Sequence, residues 1–205
     1  MASDLRPGPD SPPTDELRAA EQALGVLQHI VHPISRDDLS RQTPSDGFDV
    51  AQLTEHVVDT LTSIGDALGA EVPPRDADDT VERQIVVAGR ATLDAFHRRH
   101  GLDGEVTWRG NETPVRTLAG VLAFGLLVHG WDYAAATGYP ADVPNALANY
   151  VLALAEKIIT PQRRANGEFA DPVEPPAKAS AFDRLVAFTG RDPADAGARS
   201  QTRSR

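Results

Sequence analysis

The chain has 205 residues, near the size of one domain, and carries 30 acidic against 20 basic side chains for a formal charge of −10. That balance repels a phosphate backbone and disfavours nucleic-acid binding. Cysteine is absent, which excludes a disulfide framework, a thiolate zinc site and a cysteine nucleophile, so any metal must rest on His, Asp or Glu.

Residues 1 to 13 are rich in Pro, Gly, Asp and Ser with almost nothing apolar to bury, and residues 194 to 205 read alike. Both are expected as disordered tails around a single domain over residues 14 to 193. The acids and prolines at the start stand where a secretory signal needs a basic start and an apolar stretch. The longest apolar run, Leu118 to Val128, falls short of the roughly 20 residues that span a bilayer. A cytoplasmic protein with no membrane partner is expected.

Thr14 can cap a first helix carrying Leu17, Leu24, Leu27 and Val31 on one face, which Pro33 stops. A second helix starts after Asp49, with Gln52 at the third position as in a capping box, and its apolar set is Val50, Leu53, Val57, Leu61, Ile64 and Leu68. Asp79 and Glu82 make a similar opening for a third helix with Val81, Ile85, Ala88, Thr92 and Phe96, ended by basic residues before Gly101. The fourth follows Pro114 and runs to Thr137, apolar on nearly every side, with Gly138 as its stop. It is expected at the centre. A fifth follows Pro144 with Leu147, Val151, Leu154 and Ile158, and a short sixth runs from Ser180 to Gly190. Only Glu105 to Arg109 and Phe169 to Glu174 look extended, at most a small hairpin. The fold class is all-α, a bundle of about four main helices with short accessory ones.

Six histidines are present. His97 and His100 sit beside Arg98 and Arg99 in a last helical turn, where positive charge suits the helix dipole. His29 and His32 flank the turn before Pro33 with no carboxylate at helical spacing, so capping or solvated roles are expected for them. His129 differs, because it follows eleven uninterrupted apolar residues on a helix that must be buried, and a buried imidazole needs a partner. His56 lies at the border of its helix's apolar stripe, with Thr60 one turn on, and can face a bundle interior. These two are expected to meet.

Three ordered blocks carry a family resemblance: Asp37 to Asp59 with Thr43, Pro44, Gly47 and His56; Leu127 to Gly138 with His129, Gly130, Trp131 and Asp132; and Phe182 to Pro193, ending Gly190, Arg191, Asp192, Pro193. Over roughly residues 17 to 193 the chain resembles actinobacterial DinB-like proteins related to the N-terminal domain of mycothiol-dependent maleylpyruvate isomerase. The resemblance implies a four-helix bundle holding a divalent metal, zinc or nickel. In the family the ligands are a first His, matched by His56, and a Glu and His four residues apart on the later helix, the His matched by His129. It further implies a thiol such as mycothiol as cosubstrate of a transferase or isomerase acting on a small molecule, in a monomer or homodimer. A metal can stabilise such a thiol as thiolate at neutral pH.

The family's Glu position holds Gly125, while Ser45 and Phe48 stand where the family has Cys and Trp. The expectation for Gly125 is close helix packing together with Gly120, the alternative being a ligand that approaches the backbone. Asp132, three residues after His129, is the substitute candidate for the metal set, His56, His129 and Asp132, although a role orienting the imidazole is favoured. Asp59 falls opposite the apolar stripe. Two functions follow: a metal-dependent thiol enzyme, or a non-catalytic bundle with a degenerate site that binds a small ligand or a protein partner.

Overall fold

A computed structural model describes residues 11–45, 47–99 and 101–194 of the chain. Among these are seven helices and one hairpin: α1 (Glu16–Val31), α2 (Val50–Ala67), α3 (Val81–Arg98), β1 (Glu105–Trp108), β2 (Asn111–Pro114), α4 (Val115–Thr137), α5 (Asn145–Ile158), α6 (Pro161–Ala165) and α7 (Ala181–Phe188). The protein is mostly helical, as the periodicity predicts. The expected tails lie outside the described residues except for positions 11–13 and 194.

The 23-residue α4 is apolar on every side and is the element the others cover. By length and composition it could cross a membrane, yet 83% of its most apolar window is buried inside the molecule. Helix α1 runs along α4 and also touches α3, α2 packs on α3 and α4, and α5 bridges α4 and α7. Ala19, Ala20 and Ala23 on α1 are wholly buried, so the two backbones can approach closely. Around them Leu27, Leu53, Leu61, Ile85, Leu118 and Leu127 fill the core. Each such side chain contributes about 1.5–3 kcal/mol when fully removed from water.

Local chemistry explains most helix ends. The Asp49 carboxylate accepts from the Gln52 backbone N–H while the Gln52 side chain accepts from the Asp49 N–H, closing the expected capping box seven residues before His56. Gly138 takes a left-handed φ of 74° at the end of α4, a conformation that glycine alone adopts without cost. Two caps fall one residue from their expected places. Asp15, not Thr14, caps α1, and Thr80 caps α3 through the Arg83 N–H while Asp79 binds the Arg83 guanidinium instead.

The extended segments also differ from expectation. Glu105–Trp108 pairs with Asn111–Pro114 and not with residues 169–174, where no strand occurs among the described residues. Arg109 and Gly110 have φ of 51° and 81°, the positive pair that a two-residue hairpin turn needs. Closing that turn is entropically cheaper than pairing strands some 60 residues apart. Helix α6 is an addition, capped by Thr160 with Pro161 in its first turn; none of its residues is buried, so it has no apolar stripe to read.

Candidate functional site

His56 projects from α2 and His129 from α4, and the two imidazoles meet edge to face with centroids 5.2 Å apart and planes at 84°. Phe48, just before α2, stacks on His56 at 5.3 Å and 27°. The spacing of the two helices is fixed one turn away, where the buried Tyr133 hydroxyl donates to Thr54 Oγ1 at 3.0 Å and Thr54 donates to the Val50 carbonyl at 2.7 Å. Burial pushes the Tyr133 phenol well above its ordinary range, so it remains a neutral donor.

Behind His129 stands Asp132, 0% exposed at the centre of the fold. His129 Nδ1 lies 3.1 Å from its Oδ2. Arg191, from the segment after α7, donates to both carboxylate oxygens, Nε to Oδ1 at 2.8 Å and Nη2 to Oδ2 at 3.0 Å, and reaches Thr189 Oγ1 at 3.2 Å. Burial alone would raise the Asp132 carboxyl; the His129 hydrogen bond and the Arg191 guanidinium outweigh it and hold the group below the usual carboxylate range. Gly190 sets this pose. Its φ is 91°, and a Cβ there would stand 2.6 Å from Ala170.

His56 has no hydrogen bond among the described residues; its contacts are the rings of Phe48 and His129. Burial, followed by the charges of His129 and Arg109, lowers its pKa from the ordinary imidazole value despite Asp59 and Asp132, which favours the neutral ring at pH 7. The pair borders a cleft of about 760 Å³ walled by Phe124, Val128, Phe169 and Arg164. A smaller lobe of about 170 Å³ shares both histidines and extends to Trp108 and Arg109 of the hairpin. Trp108 is seated on α2 by its indole N–H to Ser63 at 3.0 Å.

Gly125 lies in this cleft, and a Cβ built on it would have nothing within 4 Å. The expected close packing is therefore corrected. Gly120 faces Leu154 and Glu16 on the other side of α4, at 3.7 and 3.8 Å, whereas Gly125 opens to the cavity. The divalent metal implied by the resemblance can be tested against these donors. No group of three or more His, Asp or Glu placed to hold an ion occurs among the described residues. His56 and His129 supply two imidazoles, Asp132 is held from behind by Arg191, and the fourth position before His129 has no side chain. These residues do not fit a protein-held three-ligand centre. Asp132 stands behind His129, with one carboxylate oxygen at its Nδ1 and both oxygens held by Arg191.

His29, His32 and His97 stay apart from the cleft. His29 Nδ1 is 2.7 Å from the Gly25 carbonyl, His32 pairs with Glu82 and His97 with Glu21, while His100 lies outside the described residues. Arg191 and the stacking role of Phe48 were not foreseen. An acid amid an apolar helix calls for a buried cation, and the Gly-Arg-Asp-Pro block held the arginine.

A mostly helical protein with a two-histidine cleft is thus the class that fold and geometry define. No family model matches the chain, and no solved structure matches it. Two proteins of Mycobacterium tuberculosis, from strains CDC 1551 and H37Rv and both described as uncharacterized, are 29% identical to it over 178 residues, covering 86% of this chain and 98% of each relative. The likeness therefore runs through nearly the whole of those proteins.

Proposed function

We propose that the chain is a DinB-like four-helix bundle, built on α1 to α4, whose metal centre is degenerate and whose cleft binds a small organic ligand between His56, His129 and Gly125. The observation that carries this reading is Gly125: the position that would bear a carboxylate bears nothing, and the space is open. The aromatic wall of Phe124 and Phe169, 5.9 Å apart, offers apolar surface, and the free imidazole edges offer polar contacts. A zinc- or nickel-dependent thiol enzyme is the second reading. It draws support from the 5.2 Å approach of the imidazoles and from Asp132 behind His129, as carboxylates commonly stand behind ligating histidines.

Elemental analysis of protein purified without an affinity tag separates the two. The first reading expects well under one metal per chain in the wild type and a gain of zinc binding in Gly125→Glu. Stoichiometric zinc or nickel in the wild type, lost in His56→Ala, would overturn it in favour of the second.

A further inference from the structure

We propose that His129 is a base that takes a proton from a small molecule lying over Gly125 and bearing an acidic S–H or O–H group. The proposal rests on the reading of the cleft as an organic-ligand site and adds a chemical step to it. Its support is a three-residue chain. Arg191 grips both oxygens of the buried Asp132 carboxylate, so Asp132 can only accept from His129, and the Nδ1 of His129 carries the hydrogen. Nε2 then presents a lone pair. It has no partner among the described residues, and none of their side-chain nitrogens is buried without one, so Nε2 opens to the cleft.

Gly125 sits one turn N-terminal to His129 and lines the same cavities, so the imidazole borders the space that the glycine leaves. That space is at least 4 Å deep from the missing Cβ, room for ligand atoms in van der Waals contact. In the step itself the Nε2 lone pair forms an N–H bond as the S–H or O–H bond breaks. The bonding pair stays on sulfur or oxygen. The imidazolium formed keeps its Nδ1–H on the Asp132 carboxylate, and the new anion shares the smaller lobe with His56 and the positive charge of Arg109. The proton returns to product by the reverse path. Asp132 and Arg191 act through His129 as positioning residues.

The test needs no known ligand. Long-range 1H–15N correlation on the full chain at neutral pH, with His129→Gln for assignment, is expected to show His129 as the Nδ1–H tautomer. Diethyl pyrocarbonate, which acylates a bare imidazole nitrogen, is expected to modify His129 about tenfold faster or more in the wild type than in Asp132→Asn, read on the His129 peptide by mass spectrometry. Arg191→Lys, which keeps the charge and loses the fork, should fall between. An Nε2–H tautomer in the wild type, or equal modification rates in wild type and Asp132→Asn, overturns the proposal. Where Asp132→Asn does not fold, the wild-type tautomer decides alone. Metal content of the same sample keeps the two readings apart: stoichiometric metal sinks the organic-ligand cleft, whereas metal-free protein with the wrong tautomer sinks the base alone.

Discussion

The two sides of α4 solve the same problem in opposite ways. Toward α1, Gly130 leaves a gap that Ile30 and Leu27 fill, with Ile30 3.2 Å and Leu27 3.7 Å from where a Cβ would be. Five residues earlier and on the other side, Gly125 leaves a gap that nothing fills. The first glycine brings two helices together and the second makes a cavity. One face of the helix goes to packing and the other keeps room beside the imidazoles of His56 and His129. Such division is how a rigid scaffold presents a site.

The comparison is broken most severely by removing the cation behind the site. In Arg191→Ala the Asp132 carboxylate stays wholly buried with only His129 beside it, and urea unfolding should show a loss of about 3–5 kcal/mol. The same ion pair sets an acid dependence. Because the folded-state pKa of Asp132 is lowered, its contribution is full above the ordinary carboxylate value of about 3.9 and is lost as pH falls through the lower folded value. Arg191→Ala should therefore lie furthest below the wild type near neutrality and converge on it in acid. A constant difference at every pH would mean that packing, not charge, holds this side together. Gly130→Val comes next. Its added methyl groups must enter the space of Ile30 and Leu27, and a loss of about 1–3 kcal/mol in thermal or urea unfolding is expected.

The sequence makes the helices readable because their signals are local. Asp49 with Gln52, Pro114 before α4, Gly138 after it and Ser180 before α7 each act within one turn of chain. The meeting of His56 and His129 was also readable, from one histidine at the border of a stripe and another on a helix with no polar face, taken together with the motif order of the family they resemble. The opposed fates of Gly120, Gly125 and Gly130 were not. On a helix apolar all round, periodicity assigns no direction, and only the neighbours show which glycine is contacted and which is bare. Arg191 was hidden for a different reason: it is 59 residues from Asp132, and its capture depends on the left-handed turn at Gly190. The hairpin partner of β1 was missed because Asn111–Pro114 has no alternation of apolar residues; its turn pins it instead.

Gly125→Ala gives the smallest effect and the sharpest contrast. In the middle of a helix, alanine exceeds glycine by about 0.5–1 kcal/mol, because the unfolded glycine chain has more freedom to lose. At Gly125 the new methyl meets nothing within 4 Å, so that gain should appear undiminished as a rise in the unfolding midpoint. The same change at Gly130 places its methyl 3.2 Å from Ile30, so part or all of the gain is spent on shifting that side chain. A stabilised Gly125→Ala beside an unimproved Gly130→Ala is the expected pair. Should Gly125→Ala lose stability instead, some group must already occupy the space beside His129, and the cleft would be a packed wall.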